Sequence, residues 1–227
     1  MWVLLLSPFI TIIMSFLLMK GLLPDSDNPQ EQKVYTLVAS NLFALFVLLG
    51  FSLCSGMFIL APVSDKENKL RHLMNFVGMK PLAYYLGSFF ADIILFTIPT
   101  VGFIILLFPL GIRYFIINWA WATMLAIMVS FGISLISLTY LFSFMFSSAN
   151  TAFKNIGIIY LIGGTFLPGF IGGIFTAATG SIEFYKVFRY IFTIDPFWNF
   201  SDAMNYNMIR NFARDTMTDT NYNDFMN

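Results

Sequence analysis

Four stretches of this chain, residues 1–19, 34–61, 114–153 and 155–182, contain no Asp, Glu, Lys or Arg, and a fifth, 81–112, contains only Asp92. Crossing the hydrocarbon core of a bilayer takes about 20 apolar residues at roughly 1.5 Å each, so all five are near or above the required length. Over the whole chain 58% of residues are hydrophobic, 11% are charged and the mean hydropathy is +0.78. Soluble chains are about 25% charged, and one soluble core of this size could not hide so much apolar surface. The sequence is that of an integral, multi-pass membrane protein.

Inside lipid every backbone N–H and C=O must be paired within its own segment or in a closed barrel. The apolar runs here are continuous, as in Leu42–Gly50, and lack the alternation that a porin strand of about 10 residues shows. The expected fold is therefore all-α, a polytopic transmembrane helix bundle of about five spans over 2–22, 35–61, 82–110, 117–146 and 155–178. The first span has no basic residues before its apolar run and no clear small-residue cleavage site, which favours a membrane-embedded or interfacial start over a signal peptide. Three regions are expected: an N-terminal apolar segment and short outer loop at 1–34, the transmembrane bundle at 35–182, and extracytoplasmic short helices with a polar tail at 183–227.

Lys and Arg in short loops favour the cytoplasmic side. The segment 62–80 holds Lys66, Lys69, Arg71 and Lys80, four of the twelve basic residues, and is expected inside. Ser64 and Glu67 have the spacing of a capping box, in which two side chains satisfy backbone donors at a helix start. Leu70, Leu73, Met74 and Val77 then recur at helical spacing, and Gly78 suits a helix end. These signals predict a cytoplasmic amphipathic helix at 64–78. On physics alone it is either a juxtamembrane anchor attracted to anionic lipid or a docking surface for a cytoplasmic partner.

Asp92 is the exceptional acid, because a charge at membrane depth is costly unless paired or solvated. It reads equally as a bundle-facing anchor or part of a substrate path, or as a carboxylate near the inner interface paired with a loop Lys or a Tyr. The prolines and glycines of 163–173 should break the fifth span, with Gly169 and Gly173 at the spacing that lets helices approach closely. Asn199-Phe200-Ser201 is a glycosylation sequon on the expected outer side. With one Cys, Cys54, and one His, His72, there is neither a disulfide framework nor a metal cluster by spacing. No G-x-x-x-x-G-K-[ST] stretch is present to cradle phosphates, so catalysis by this chain is not expected. Nothing points to nucleic acid.

The run Val63-Ser64-Asp65-Lys66-Glu67-Asn68-Lys69, followed by Arg71-His72-Leu73, Val77-Gly78, Tyr84-Tyr85-Leu86 and Phe89-Phe90-Ala91-Asp92, resembles the membrane domain of the A-subfamily of ATP-binding cassette transporters, the lipid exporters. Tyr140-Leu141-Phe142-Ser143-Phe144-Met145-Phe146 and Asp195-Pro196-Phe197-Trp198-Asn199-Phe200 are similar to the end of that family's fourth span and to its Pro-Phe segment after the fifth. The likeness covers roughly 35–205. It implies a type II exporter-like bundle, and short helices over about 182–212 dipping in from the outer face. It also implies that Ser64, Asp65, Lys66, Glu67, Lys69, Arg71 and His72 form the coupling element that receives motion from a nucleotide-binding domain. ATP and Mg would belong to that partner, and no cofactor to this chain. Membrane lipid and a second membrane half are the other implied partners. The large outer domain that usually follows the first span is replaced by about ten residues around Pro24–Lys33, and the cassette is missing, as in a truncated product or one subunit of a split assembly.

Three functions follow as expectations. The first is the membrane module of an ATP-dependent lipid exporter; the second is a structural subunit of a larger membrane complex, with a transporter-like fold and no transport. A channel is the third, but beyond Asp92 no span carries the polar stripe it needs.

Overall fold

The structure is a computed structural model that describes residues 2–22, 29–70, 76–78, 80–110, 119–166, 190 and 192–216. Among them every regular element is helical: α1 (Trp2–Leu22), α2 (Pro29–Glu67), α3 (Pro81–Leu110), α4 (Ala120–Ser143), α5 (Ala149–Ile159) continuing as a π-helix over Tyr160–Phe166, and α6 (Pro196–Thr216). Asn41–Glu67, Leu82–Leu106 and Ala120–Ser143 are long and apolar enough to cross a membrane. The expected first span is the whole of α1. The fifth is α5 with its π-helix, and its remainder, including Pro168, Gly169 and Gly173, lies outside the described residues.

The central element is α2, 39 residues long, which at 1.5 Å per residue makes a rod of about 58 Å. It begins on a proline, whose missing N–H costs nothing in a first turn. Residues 29–34 are thus helical, where the sequence suggested loop. Helices α1, α4, α5 and α6 all pack on it. Two of these contacts are backbone-close for want of a side chain. At Gly50 the approaching α1 brings Thr11 and the Pro8 Cα against the position a Cβ would take, and the Ser7 hydroxyl donates to the Gly50 carbonyl at 3.2 Å. Gly56 of α2 and Gly157 of α5 face each other's helices, with the Phe153 and Ser52 carbonyl oxygens 3.2 and 3.1 Å from where a Cβ would stand. Small residues at such crossings let dispersion do what the hydrophobic effect cannot do within lipid.

Phenylalanines fill the core. Phe131 of α4 lies 5.7 Å from Phe51 of α2, 6.4 Å from Phe96 of α3, and 5.4 and 4.6 Å from Phe197 and Phe200 of α6. Tyr160, the first residue of the π-helix, meets Phe197 at 5.0 Å. Along α3 the exposed residues Leu86, Phe90, Ile94, Ile98, Val101 and Ile105 recur every three or four positions, an apolar face suited to lipid.

The C-terminal region differs from expectation. Where short helices dipping in from the outer face were expected, the described residues hold one 21-residue helix, α6, whose Phe197, Phe200, Met204 and Met208 belong to the common core. Their spacing of three, four and four marks one helical face. The polar residues between them lower the average and hid the stripe from a search for continuous apolar runs. Because Phe197 packs on Phe131, near the middle of α4, this helix starts at mid-depth in the bundle and runs away from the Lys66 end. The polar tail from 217 lies outside the described residues.

Candidate functional site

Ser64 and Glu67 do not start a helix. Helix α2 continues through Pro62 to Glu67, and its last turn closes on the Asn68 N–H donating to the Ser64 carbonyl at 2.9 Å. The Asn68 amide also donates to Ser64 Oγ at 3.2 Å. The helix stops at Lys69, whose φ of 54° is the left-handed conformation that ends many helices. The expected capping box and the helix start at Ser64 are therefore corrected: with no break after the second span, Ser64–Glu67 form a C-terminus. Arg71 and His72 lie outside the described residues, as does most of the expected amphipathic stretch.

What the two charged residues at this C-terminus do instead is cap other helices. Lys66 Nζ donates to the carbonyls of Phe144 and Phe146, both at 3.0 Å, just past the end of α4. Glu67 Oε2 accepts the N–H of Ala149, the first residue of α5, at 2.8 Å. Ser148, at the N-cap position, makes no side-chain cap bond of its own. A helix C-terminus carries partial negative charge and an N-terminus partial positive charge. Lys66 and Glu67 thus meet complementary ends of two successive helices, and the turn 144–148 between α4 and α5 is gripped from α2 by both charges. Asp65 is half-buried beside them, while Lys69 points to solvent.

Asp92 lies on α3 and accepts a 2.6 Å hydrogen bond from the Tyr140 hydroxyl of α4. Counted from Pro81 the carboxylate is eleven residues into its helix, but Tyr140 is only three residues from the end of α4. That distance, about 5 Å along the axis, sets it one turn inside the same end of the bundle as Lys66. Tyr140→Phe is expected to destabilise the purified protein by about 1–3 kcal/mol, because the half-buried carboxylate loses its donor. Asp92→Asn, which keeps a hydrogen-bonding partner for Tyr140, should cost less. Thermal unfolding in a fixed detergent checks both, and an unchanged Tyr140→Phe midpoint would mean that water satisfies the carboxylate.

A cavity of about 350 Å³ lies where the π-helix meets the start of α6, walled by Leu138, Phe142, Ile159, Gly163, Phe192 and Ile194. Its lining is mostly apolar, with Asp195 and Tyr160 as the polar side chains on the wall. Asn199 stands in the first turn of α6 with its amide donating to the Thr193 carbonyl at 2.5 Å. That nitrogen is where a glycan would attach, and Asn199 is exposed. Cys54 is buried in α2, and among the described residues no group of His, Cys, Asp and Glu could hold a metal. The sequence pointed to Lys66 and Glu67 through charge and spacing, but their partners at 144, 146 and 149 are backbone groups, which no side-chain pattern announces.

A family model described as ABC-2 family transporter protein matches residues 11–223. The chain is 25% identical over 121 residues to the phospholipid-transporting ATPase ABCA3 of Rattus norvegicus, covering 53% of this chain and 7% of that protein. To the human ATP-binding cassette sub-family A member 2 it is 24% identical over 143 residues, 63% of this chain and 6% of the relative. To human sub-family A member 13 it is 29% identical over 130 residues, 56% and 2% respectively. The chain thus spans only a small part of the relatives it matches.

Proposed function

The chain belongs to the ABC-2 transporter family, and from that premise we propose that it is the membrane module of an ATP-driven exporter moving lipid or another hydrophobic substrate. An ABC-2 membrane domain is the transmembrane part of a transporter and is not itself catalytic. In this reading ATP and Mg are handled by a nucleotide-binding domain on another chain or another part of the protein, and a second membrane half completes the path. The Lys66 end of the bundle faces the cytoplasm, as its basic residues favour.

The observation that carries the proposal is the grip of Lys66 and Glu67 on the 144–148 turn. Closure of a nucleotide-binding domain pushes on the Ser64–His72 segment. That push acts on three helices together, because the end of α2 holds both the end of α4 and the start of α5. The rigid rod of α2 carries it the length of the bundle. A mostly apolar cavity beside the π-helix, itself an irregularity frequent at functional sites, suits a hydrophobic substrate.

Gentle purification from the native membrane tests this. A nucleotide-binding subunit or domain should accompany the chain, and the assembly should hydrolyse ATP with lipid-stimulated turnover. Recovery only within an unrelated stable complex without ATPase activity overturns the proposal in favour of a structural subunit.

A further inference from the structure

At the end of the bundle opposite Lys66, α6 buries polar groups that nothing among the described residues satisfies. Asn207 and Asn211 are 2% and 1% exposed, yet Asn207 Nδ2 and Asn211 Oδ1 have no partner among the described residues. The same holds for Arg210 Nε and Asn205 Oδ1. The bonds that do exist fix the direction of the free atoms. Asn207 Oδ1 already accepts from Arg210 Nη2 at 3.2 Å and from Asn211 Nδ2 at 3.1 Å, which leaves its own amide hydrogens as donors. Asn205 Nδ2 is spent on Asn41 Oδ1 of α2 at 2.8 Å. Buried polar groups are ordinarily paired, and three orphans on one side of the helix, at Asn207, Arg210 and Asn211, call for a ligand; Asn205, two residues before Asn207, faces away from them.

Depth narrows its identity. Asn207 is ten residues beyond Phe197, which packs at mid-depth on Phe131, and ten residues of helix span about 15 Å, half the hydrocarbon thickness. The cluster therefore stands at the level of lipid headgroups. Its open donors, an amide N–H and a guanidinium N–H, match phosphate oxygens, for which arginine is well suited. Its open acceptor, Asn211 Oδ1, matches a headgroup that also carries N–H or O–H.

We propose that Asn207, Arg210 and Asn211 form a binding site for the phosphate-bearing headgroup of a membrane lipid, with a hydrogen-bond donor on the same headgroup. The site requires only that the chain spans a membrane, and it would stand even if the chain moved no substrate.

Native mass spectrometry of the purified full chain, incubated with defined probes, tests it. Phosphatidylethanolamine should be retained, whereas diacylglycerol with the same tails, which lacks the phosphate, should not. Millimolar inorganic phosphate should fail to displace the lipid. Asn207→Leu and Arg210→Met should each lower retention about tenfold, the loss of one good hydrogen bond to a charged group. The melting temperature of Asn207→Leu should fall, since Arg210 Nη2 and Asn211 Nδ2 lose their acceptor, so the folded Arg210→Met variant carries the decision. Equal retention of diacylglycerol, displacement by free phosphate, or full retention in a folded Arg210→Met variant would each overturn the assignment.

Discussion

The double exchange Lys66→Glu with Glu67→Lys is expected to lower ATP-dependent substrate movement by at least about tenfold while leaving helical content unchanged. In the native protein each charge meets a helix end of opposite sign, Lys66 at the Phe144 and Phe146 carbonyls and Glu67 at the Ala149 N–H. Each such contact at an exposed position is worth about 0.3–1 kcal/mol. Reversal turns two attractions into two repulsions, a swing of roughly 1–4 kcal/mol against the docked turn. Every 1.4 kcal/mol is about a tenfold shift in the docking equilibrium constant. The contacts are local, so they set how α2 and the 144–148 turn move together and contribute little to whether the bundle folds.

Hydrogen exchange separates this effect from misfolding. The amide of Ala149 should lose protection in the reversed protein, while amides of the α2 core, around Phe51 and Cys54, keep theirs. Lys66→Arg, which preserves a cationic donor, should transport normally. Normal lipid movement in the reversed protein, with Ala149 deprotected as expected, would show that the grip does not transmit motion.

The membrane bundle was legible because lipid imposes one rule on every residue of a span, and that rule leaves long uncharged runs. α2, α3 and α4 follow it and were readable nearly to their ends. The end of α2 was misplaced because Pro62 and the Ser64-to-Glu67 spacing imitate a boundary and a helix start. Proline lacks one backbone donor and strains the preceding turn, yet a helix can continue past it when packing holds that turn; here Val63, wholly buried, does so. α6 was misread for a different reason. Its buried stripe of Phe197, Phe200, Met204 and Met208 is interleaved with Asn and Arg, of which Asn207 and Asn211 are buried too. A sequence reader assigns polar residues to solvent, and only tertiary structure shows that Asn207 and Asn211 face inward. The grip on the 144–148 turn was the least legible feature, since half of each bond is a main-chain atom.

Phe131→Ala is expected to be the most destabilising single truncation in the bundle, costing about 3–5 kcal/mol. Its ring, 4% exposed, touches rings on α2, α3 and α6, and its two contacts with α6 are the closest it makes. Lipid tails are as apolar as the core, so removing the ring changes little in transfer free energy between lipid and protein. The cost arises because the side chains around the vacated space forfeit their dispersion attraction to the ring, and the neighbouring helices cannot close the cavity. Because α6 enters the bundle at mid-depth on Phe197 and Phe200, it should be the first element to loosen. Thermal unfolding and limited proteolysis in a fixed detergent would show a lowered midpoint and earlier cleavage within 196–216. Phe90→Ala is the matched control: its ring is 61% exposed on the lipid-facing side of α3, so its truncation leaves no cavity and should stay within about 0.5 kcal/mol of the parent. If the two variants melted together, α6 would not be held by this ring, and the mid-depth start from which the headgroup site takes its level would be wrong.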